Sequence, residues 1–306
     1  MKRIIYVHGR GYKPNKDTLK DNWDEALIAG LQRDYNLSTV QKFKSTKKEM
    51  AYYGDLTNIF LKKRRKLFIY DEKNDIIDRS ECLNRLKSYS DSDFQNSTYS
   101  NLPGKDSIKK IFAHLTSKPL YMLGLGNFVV GLVAPDMKHY WNPDDKFGSD
   151  VRWRLTEVLK DAFDKKDEIL LISHSLGTII AYDVLWKFSY YGEYRDIRED
   201  KLHTWITMGS PLGNENAKKK LKGANATGVR KYPINISRWF NVAAEDDYLC
   251  HDQRLNNDFE KMEITTKSDT INYNLAVRHS KSNPHHAVGY LITPEVVKIV
   301  ANWLDS

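Results

Sequence analysis

Short apolar runs alternate with amphipathic stretches along much of this chain. Four predominantly apolar segments predict buried strands at 2–7, 168–172, 203–208 and 235–242. Apolar residues at helical spacing predict helices at 17–33, 148–163, 176–188 and 294–304. Strands that alternate with helices are typical of an α/β fold, in which a mostly parallel sheet carries helices on both faces.

Four further segments have weaker patterns. Residues 38–43 are a strand candidate, residues 57–67 and 107–115 favour helices, and residues 263–278 favour a hairpin appended to the sheet. In a parallel sheet, ligands bind outside the carboxyl ends of the strands. Polar residues that follow the predicted strands are therefore the first candidates for chemistry.

The region 56–149 interrupts the alternation of strands and helices. Residues 71–101 are polar, whereas residues 119–133 form an uncharged apolar run that contains glycines. This run is shorter than the roughly 20 apolar residues of a membrane span. A buried helix, an apolar lid over a pocket and a membrane-dipping segment are the interpretations, in that order of preference. We predict an α/β core at 1–55 and 150–306, with 56–149 as a cap-like insertion.

The amino-acid composition limits the classes of protein to which this chain can belong. The chain has 306 residues, 41% of them hydrophobic, and two cysteines, Cys82 and Cys250. Two cysteines argue against a disulfide framework, and no Cys/His pattern indicates zinc. The first nine residues lack the apolar core of a secretion signal, so we expect a cytoplasmic location.

The formal net charge is +8, and basic residues cluster at 62–66 and 218–222. The preferred interpretation is that these clusters are solvated helix faces. Attraction to an anionic membrane surface is the alternative. We do not predict nucleic-acid binding, because no zinc finger or RNA-binding motif accompanies the charge.

The segment 169–180, ILLISHSLGTII, is an apolar strand and an apolar helix joined by small residues around Ser175. A sharp strand-to-helix turn exposes a serine hydroxyl and leaves backbone N–H groups free to stabilise negative charge. Small residues two positions before and after the serine suit such a turn, and here they are Ser173 and Gly177. Ser175 is therefore the candidate nucleophile, and we expect the adjacent His174 to be structural.

A serine nucleophile needs a histidine base and a carboxylate that orients the histidine. Glu245, Asp246 and Asp247 follow the predicted strand 235–242; we favour Asp247, with Asp246 as the alternative. The histidine should precede the closing helix. His285 and His286 both lie there, and we favour His286 over His285.

Negative charge on the reacting carbonyl oxygen needs two backbone donors. We assign one to the N–H of Leu176, directly after the nucleophile. The other should come from the loop after the first strand, at Arg10, with Gly11 as the alternative. Glycine in this loop allows the backbone to approach a ligand closely.

The order Ser175, Asp247, His286 along the chain is the order found in α/β-hydrolases. The sequence resembles a serine esterase or lipase of the α/β-hydrolase superfamily over segments 1–55 and 150–306. The matching motifs are HGRG at 8–11, SHSLG at 173–177, MGSPL at 208–212, residues 241–247, and His286 before the last helix. The resemblance implies a covalent acyl-enzyme and no metal or organic cofactor. Ser173 departs from the commoner glycine at the first position of its motif.

The leading hypothesis is hydrolysis of a carboxylic ester through an acyl-enzyme at Ser175. The apolar run 119–133 favours a small-molecule or lipid ester with an acyl chain as the substrate. An acyltransferase with the same triad is the first alternative, since an alcohol can replace water. A binding or regulatory protein on a hydrolase fold is the second.

Overall fold

The structure is a computed structural model that describes residues 1–63, 72–105, 135–247, 249–250 and 253–306. The predicted helix at 107–115 and the apolar run at 119–133 lie outside the described residues. Within these ranges, no helix is both long and apolar enough to cross a lipid bilayer.

Six parallel strands form the central sheet, in the order β2-β1-β3-β4-β5-β6. They are β1 (Lys2–Val7), β2 (Lys47–Ala51), β3 (Glu168–His174), β4 (Leu202–Met208), β5 (Ile236–Ala244) and β6 (Thr266–Asn272). A short antiparallel pair, β7 (Val277–Arg278) and β8 (Lys281–Ser282), follows the last of them. The predicted α/β class and mostly parallel sheet are confirmed.

Helices connect the strands and flank the sheet. The N-terminal half of the chain contains α1 (Lys16–Asp34), α2 (Leu37–Ser45), α3 (Gly54–Lys63), α4 (Glu72–Lys87), α5 (Asn96–Ser100) and α6 (Pro135–Trp141). The C-terminal half contains α7 (Lys146–Asp164), α8 (Leu176–Tyr190), α9 (Glu215–Lys218), α10 (Leu255–Asp258), α11 (Ala287–Leu291) and α12 (Pro294–Asp305).

Each face of the sheet has its own hydrophobic core. In β1, Ile5 and Val7 pack with α7 and α8, whereas Ile4 and Tyr6 pack with α1 and α12. The reason is that successive side chains of a strand point to opposite faces. A strand buried on both faces reads as a continuous apolar run, which is why β1 and β3 could be predicted.

The predicted strand at 38–43 is wrong, because these residues belong to helix α2. Asn36 caps this helix by accepting a hydrogen bond from the Thr39 N–H at 3.0 Å. Val40 and Phe43, three residues apart, are both buried, which is helical spacing. The second strand is instead the polar segment β2, whose place at the sheet edge explains its weak apolar signal.

The predicted hairpin at 263–278 is also wrong for most of its length. β6 pairs in parallel with β5, from Arg238 opposite Thr266 to Ala244 opposite Asn272. Parallel neighbours need a crossover connection, and the chain between these two strands supplies it with α10. The hairpin that does form is the short β7–β8 pair.

The described part of the region 56–149 packs against the sheet domain. Helix α4 contacts α1, α11 and β7. Leu83 and Tyr99 belong to the core beside α1, and Tyr140 belongs to the core beside α8. The boundary of the insertion stays a prediction.

Candidate active site

Ser175 lies at a sharp turn between β3 and α8. Its backbone has φ 55° and ψ −127°, a region that residues with a Cβ rarely adopt. The Ser175 N–H donates to the Met208 carbonyl at 2.9 Å, which ties the turn to the end of β4. The strain and the tether hold the hydroxyl at the carboxyl edge of the sheet.

Two glycines let the loop after β1 approach this turn. A Cβ on Gly177 would lie 2.5 Å from the Val7 carbonyl oxygen and 2.7 Å from that of His8. A Cβ on Gly9 would lie 2.7 Å from the Ser175 Cβ. Side chains at either position would collide, so both glycines are required by close packing.

The contacts of Ser173 explain why serine, instead of the commoner glycine, stands at this position. Its hydroxyl accepts a hydrogen bond from the Trp205 indole N–H at 2.9 Å and donates to the Ile206 carbonyl at 3.2 Å. The Trp205 ring stacks on Trp239 in turn, with centroids 4.8 Å apart. A buried indole N–H needs an acceptor, and Ser173 provides one that glycine could not.

The structure brings Ser175, His285 and Asp247 into one hydrogen-bonded chain. Ser175 Oγ lies 2.9 Å from His285 Nε2, and His285 Nδ1 lies 2.8 Å from Asp247 Oδ2. Because a carboxylate only accepts hydrogen bonds, Nδ1 carries the proton and Nε2 presents its lone pair to the serine hydroxyl. The Asp247 side chain is fully buried, whereas His285 is 15% exposed.

The preference for His286 over His285 is corrected by this geometry. His286 Nε2 accepts a hydrogen bond from Arg278 Nη1 at 3.0 Å, and its Nδ1 lies 3.9 Å from Cys82 Sγ. The backbone of His286 is extended, with φ −77° and ψ 128°, and neighbouring side chains of an extended chain point to opposite sides. Burial and then the charge of Arg278 hold the pKa of His286 well below its usual value.

The alternative carboxylate, Asp246, points elsewhere. Its Oδ2 accepts a hydrogen bond from the buried Tyr99 hydroxyl at 3.2 Å and lies 3.9 Å from the Lys105 ammonium. Asp246 has φ 59°, so it forms the turn that carries the chain from β5 to Asp247. It thus connects the turn to the 96–105 segment instead of orienting His285.

His174 supports the loop that carries His285. Its Nε2 lies 2.9 Å from the His285 carbonyl oxygen, so it donates there. Burial and then the neighbouring His285 hold the pKa of His174 well below its usual value, so the ring is neutral. The structural role expected of His174 agrees with this contact.

The loop after β1 carries the predicted donors Arg10 and Gly11. His8 Nε2 accepts from the Tyr53 N–H at 3.1 Å, so its Nδ1 carries the proton and donates to the Gly9 carbonyl at 2.8 Å. In a trans peptide the Arg10 N–H points opposite to the Gly9 carbonyl. The Lys13 ammonium caps the loop by donating to the Arg10 carbonyl at 2.5 Å.

Leu176 is the first residue of α8. The N–H groups of a first helical turn, that of Leu176 among them, have no partner within the helix. The role of this N–H as a donor stays a prediction. Gly11 has φ 84° and stays the alternative to Arg10.

Sequence reasoning missed Tyr290, which contacts Asp247. Its hydroxyl lies 2.5 Å from Asp247 Oδ2, and it is completely buried. Tyr290 lies in an apolar run just before the predicted closing helix at 294–304. Such a run gives no sign of a polar contact. Only its position five residues after His285 could have drawn attention to it.

Two surface cavities, of about 190 and 430 Å³, lie away from this chain of residues. The first is lined by residues of 228–232 and 257–261, and the second lies beside α1 and the end of α4. Among the described residues, no cluster of three or more His, Cys, Asp or Glu side chains could hold a metal ion.

Comparisons with protein-family models, curated proteins and solved structures found no match.

Proposed function

We propose that this protein is a serine hydrolase of the α/β-hydrolase fold that cleaves a carboxylic ester through an acyl-enzyme at Ser175. The hydrogen-bonded chain from Ser175 through His285 to Asp247 is the observation that supports it most. Ser175 and Asp247 follow two different parallel strands, β3 and β5, and His285 precedes helix α11. Ligands of such sheets bind at the carboxyl edge of the strands.

In the first half of the reaction, Ser175 Oγ attacks the ester carbonyl while His285 Nε2 takes the hydroxyl proton. Asp247 stabilises the imidazolium through Nδ1 without itself taking a proton. The tetrahedral intermediate collapses as His285 returns the proton to the leaving alcohol. In the second half, His285 takes a proton from water as the water oxygen attacks the acyl carbonyl. The bond from the carbonyl carbon to Ser175 Oγ then breaks, His285 returns the proton to Oγ, and the acid leaves.

The carbonyl oxygen becomes negative in both halves. The N–H groups of Leu176 and Arg10 stabilise it in this proposal. Losing one such donor typically costs about 3 kcal/mol of transition-state stabilisation. The neutral His8 fixes the Gly9 carbonyl and thereby the direction of the Arg10 N–H.

The substrate in this proposal is a small-molecule or lipid ester. Its support is the sequence alone, namely the apolar run 119–133 and the basic clusters.

A fluorophosphonate probe tests the nucleophile directly, because it reacts only with an activated serine hydroxyl. Wild-type protein should be labelled at Ser175, and Ser175→Ala should not. His285→Gln and His286→Gln form a matched pair: the first should slow labelling by about 10²–10⁴-fold, because the general base is lost, whereas the second should retain most of the rate. Unlabelled wild-type protein, or equal losses in the two histidine variants, would contradict the proposal.

A further inference from the structure

Tyr290 joins the two segments that carry Asp247 and His285. It lies in α11, five residues after His285, and its oxygen accepts a hydrogen bond from the Ala244 N–H at 2.9 Å. Ala244 is the last residue of β5, three residues before Asp247. One side chain therefore connects the strand that leads to the acid with the helix that follows the base.

The direction of the hydrogen bond to Asp247 follows from the partners of the Tyr290 oxygen. The Ala244 N–H can only donate, so it occupies a lone pair of the phenol oxygen. Burial and then the charge of Asp247 raise the pKa of Tyr290 well above its usual value, so the hydroxyl keeps its proton. That proton is donated to Asp247 Oδ2 at 2.5 Å.

We propose that Tyr290 is a positioning residue that orients Asp247 and weakens the carboxylate as an acceptor for His285. This inference rests on the proposed function. Asp247 Oδ2 receives hydrogen bonds from both Tyr290 and His285, and Oδ1 receives one from the Leu249 N–H at 3.0 Å. A carboxylate that already accepts a short hydrogen bond attracts an imidazolium less strongly.

The other ionisable groups that face this pair are Cys250, His174 and, beyond His174, Lys13. Burial raises the pKa of the Cys250 thiol well above its usual value, and burial lowers that of His174, so both are neutral near pH 7. Lys13 adds positive charge near His174 and opposes further protonation there. Cys250 contacts both members of the pair: its Sγ lies 3.8 Å from the Tyr290 oxygen, and a hydrogen bond to Asp247 is a further cause of the raised pKa of the thiol. A thiol is a weak donor, so it does not replace the hydrogen bond of 2.5 Å from Tyr290 to Asp247 Oδ2.

Removing the phenol hydroxyl should make Asp247 a stronger acceptor. The imidazole of His285 should then take up its proton at a higher pH, by about 0.5–1 pH unit, because only part of the lost hydrogen bond is transmitted to the imidazolium. A residue that merely fills space would leave this midpoint unchanged.

The experiment is a pH titration by ¹H–¹⁵N NMR of protein labelled with ¹⁵N at its nine histidines. The His285 signals are assigned by their loss in His285→Gln. Tyr290→Phe should move the His285 midpoint upward by about 0.5–1 pH unit. Tyr6→Phe is the matched control, since Tyr6 is equally buried and donates at 2.7 Å to a different carboxylate, that of Asp24; it should leave the midpoint in place.

A second measurement covers the case in which Tyr290→Phe does not fold, since that variant leaves the Ala244 N–H without its partner. Replacing all 18 tyrosines with 3-fluorotyrosine keeps the shape of each ring and makes each phenol a stronger donor. The His285 midpoint should then move downward. An unchanged midpoint in either protein, or a shift in the reverse direction, overturns the role of Tyr290.

Failure of this inference and failure of the proposed function give different results. The titration needs no substrate, so an unlabelled Ser175 would reject the hydrolase while the midpoints still report on Tyr290. If Ser175 reacts with the probe, the acidic limb of the labelling rate should move with the His285 midpoint in Tyr290→Phe and stay fixed in Tyr6→Phe. If the acidic limb of the labelling rate in Tyr290→Phe does not move with the His285 midpoint, the positioning role of Tyr290 is also overturned.

Discussion

The turn at Ser175 should hold strain that glycine can release. The backbone of Ser175 has φ 55° and ψ −127°, a region in which a residue with a Cβ costs on the order of 1–3 kcal/mol. Glycine adopts it freely but loses roughly 0.5–1 kcal/mol more entropy on folding. We therefore expect Ser175→Gly to be about 1 kcal/mol more stable than Ser175→Ala.

The comparison with Ser175→Ala isolates the backbone. Both variants lose the hydroxyl and its 2.9 Å contact with His285, so they differ only in the Cβ. Urea denaturation at pH 7.5 measures the two free energies of unfolding. For a chain of this size, 1 kcal/mol corresponds to roughly 2 °C in Tm, so chemical denaturation is the sharper assay.

Helix α7 provides a control position at which glycine should be less stable than alanine, the opposite of the order expected at Ser175. Glu157 is exposed and lies inside the helix, where glycine should be about 1 kcal/mol less stable than alanine. The pair Glu157→Gly and Glu157→Ala should thus reverse the order seen at Ser175. If Ser175→Gly is as unstable as Ser175→Ala, or less stable, the turn stores no strain and the reasoning is refuted.

Two further predictions concern buried polar groups. Ser173→Ala should cost about 1–3 kcal/mol of the free energy of unfolding in urea, because the indole N–H of Trp205 loses its acceptor; a loss below about 0.5 kcal/mol would contradict the contact. His8, His174 and His286 have pKa values held well below the usual one, chiefly by burial. Below about pH 6.5 the unfolded chain therefore binds protons that the folded chain does not, so stability should fall as the pH drops from 6.5 to 5.5. Denaturation midpoints that are equal at the two pH values would exclude neutral histidines.

The sequence was most informative where one face or both faces of an element are buried along its whole length. β1, β3, β4 and α8 have apolar patterns that depend little on their partners, so their positions could be predicted. β2 and β6 lie at the two edges of the sheet and contain mainly polar residues. Their strand structure comes from pairing with a neighbour, which no local pattern encodes.

The candidate site divides in the same way. Small residues around Ser175 and the order of candidate acid and base along the chain are local properties, and sequence alone determined them. Local sequence could not distinguish His285 from His286. The two neighbouring side chains point to opposite sides of the same extended backbone, and no local pattern shows which side faces Ser175. Contacts with Ser175, 110 residues away in sequence, and with Arg278 decided it.

Sequence by itself determined the alternation of strands and helices, the turn at Ser175, and the small group of carboxylates and histidines that contains Asp247 and His285. Tertiary structure decided which histidine faces Ser175, which carboxylate meets it, and that the Tyr290 hydroxyl reaches Asp247. The physical reason is that hydrophobic periodicity is set by burial of whole elements, whereas a hydrogen bond depends on the direction of single side chains brought together from distant segments.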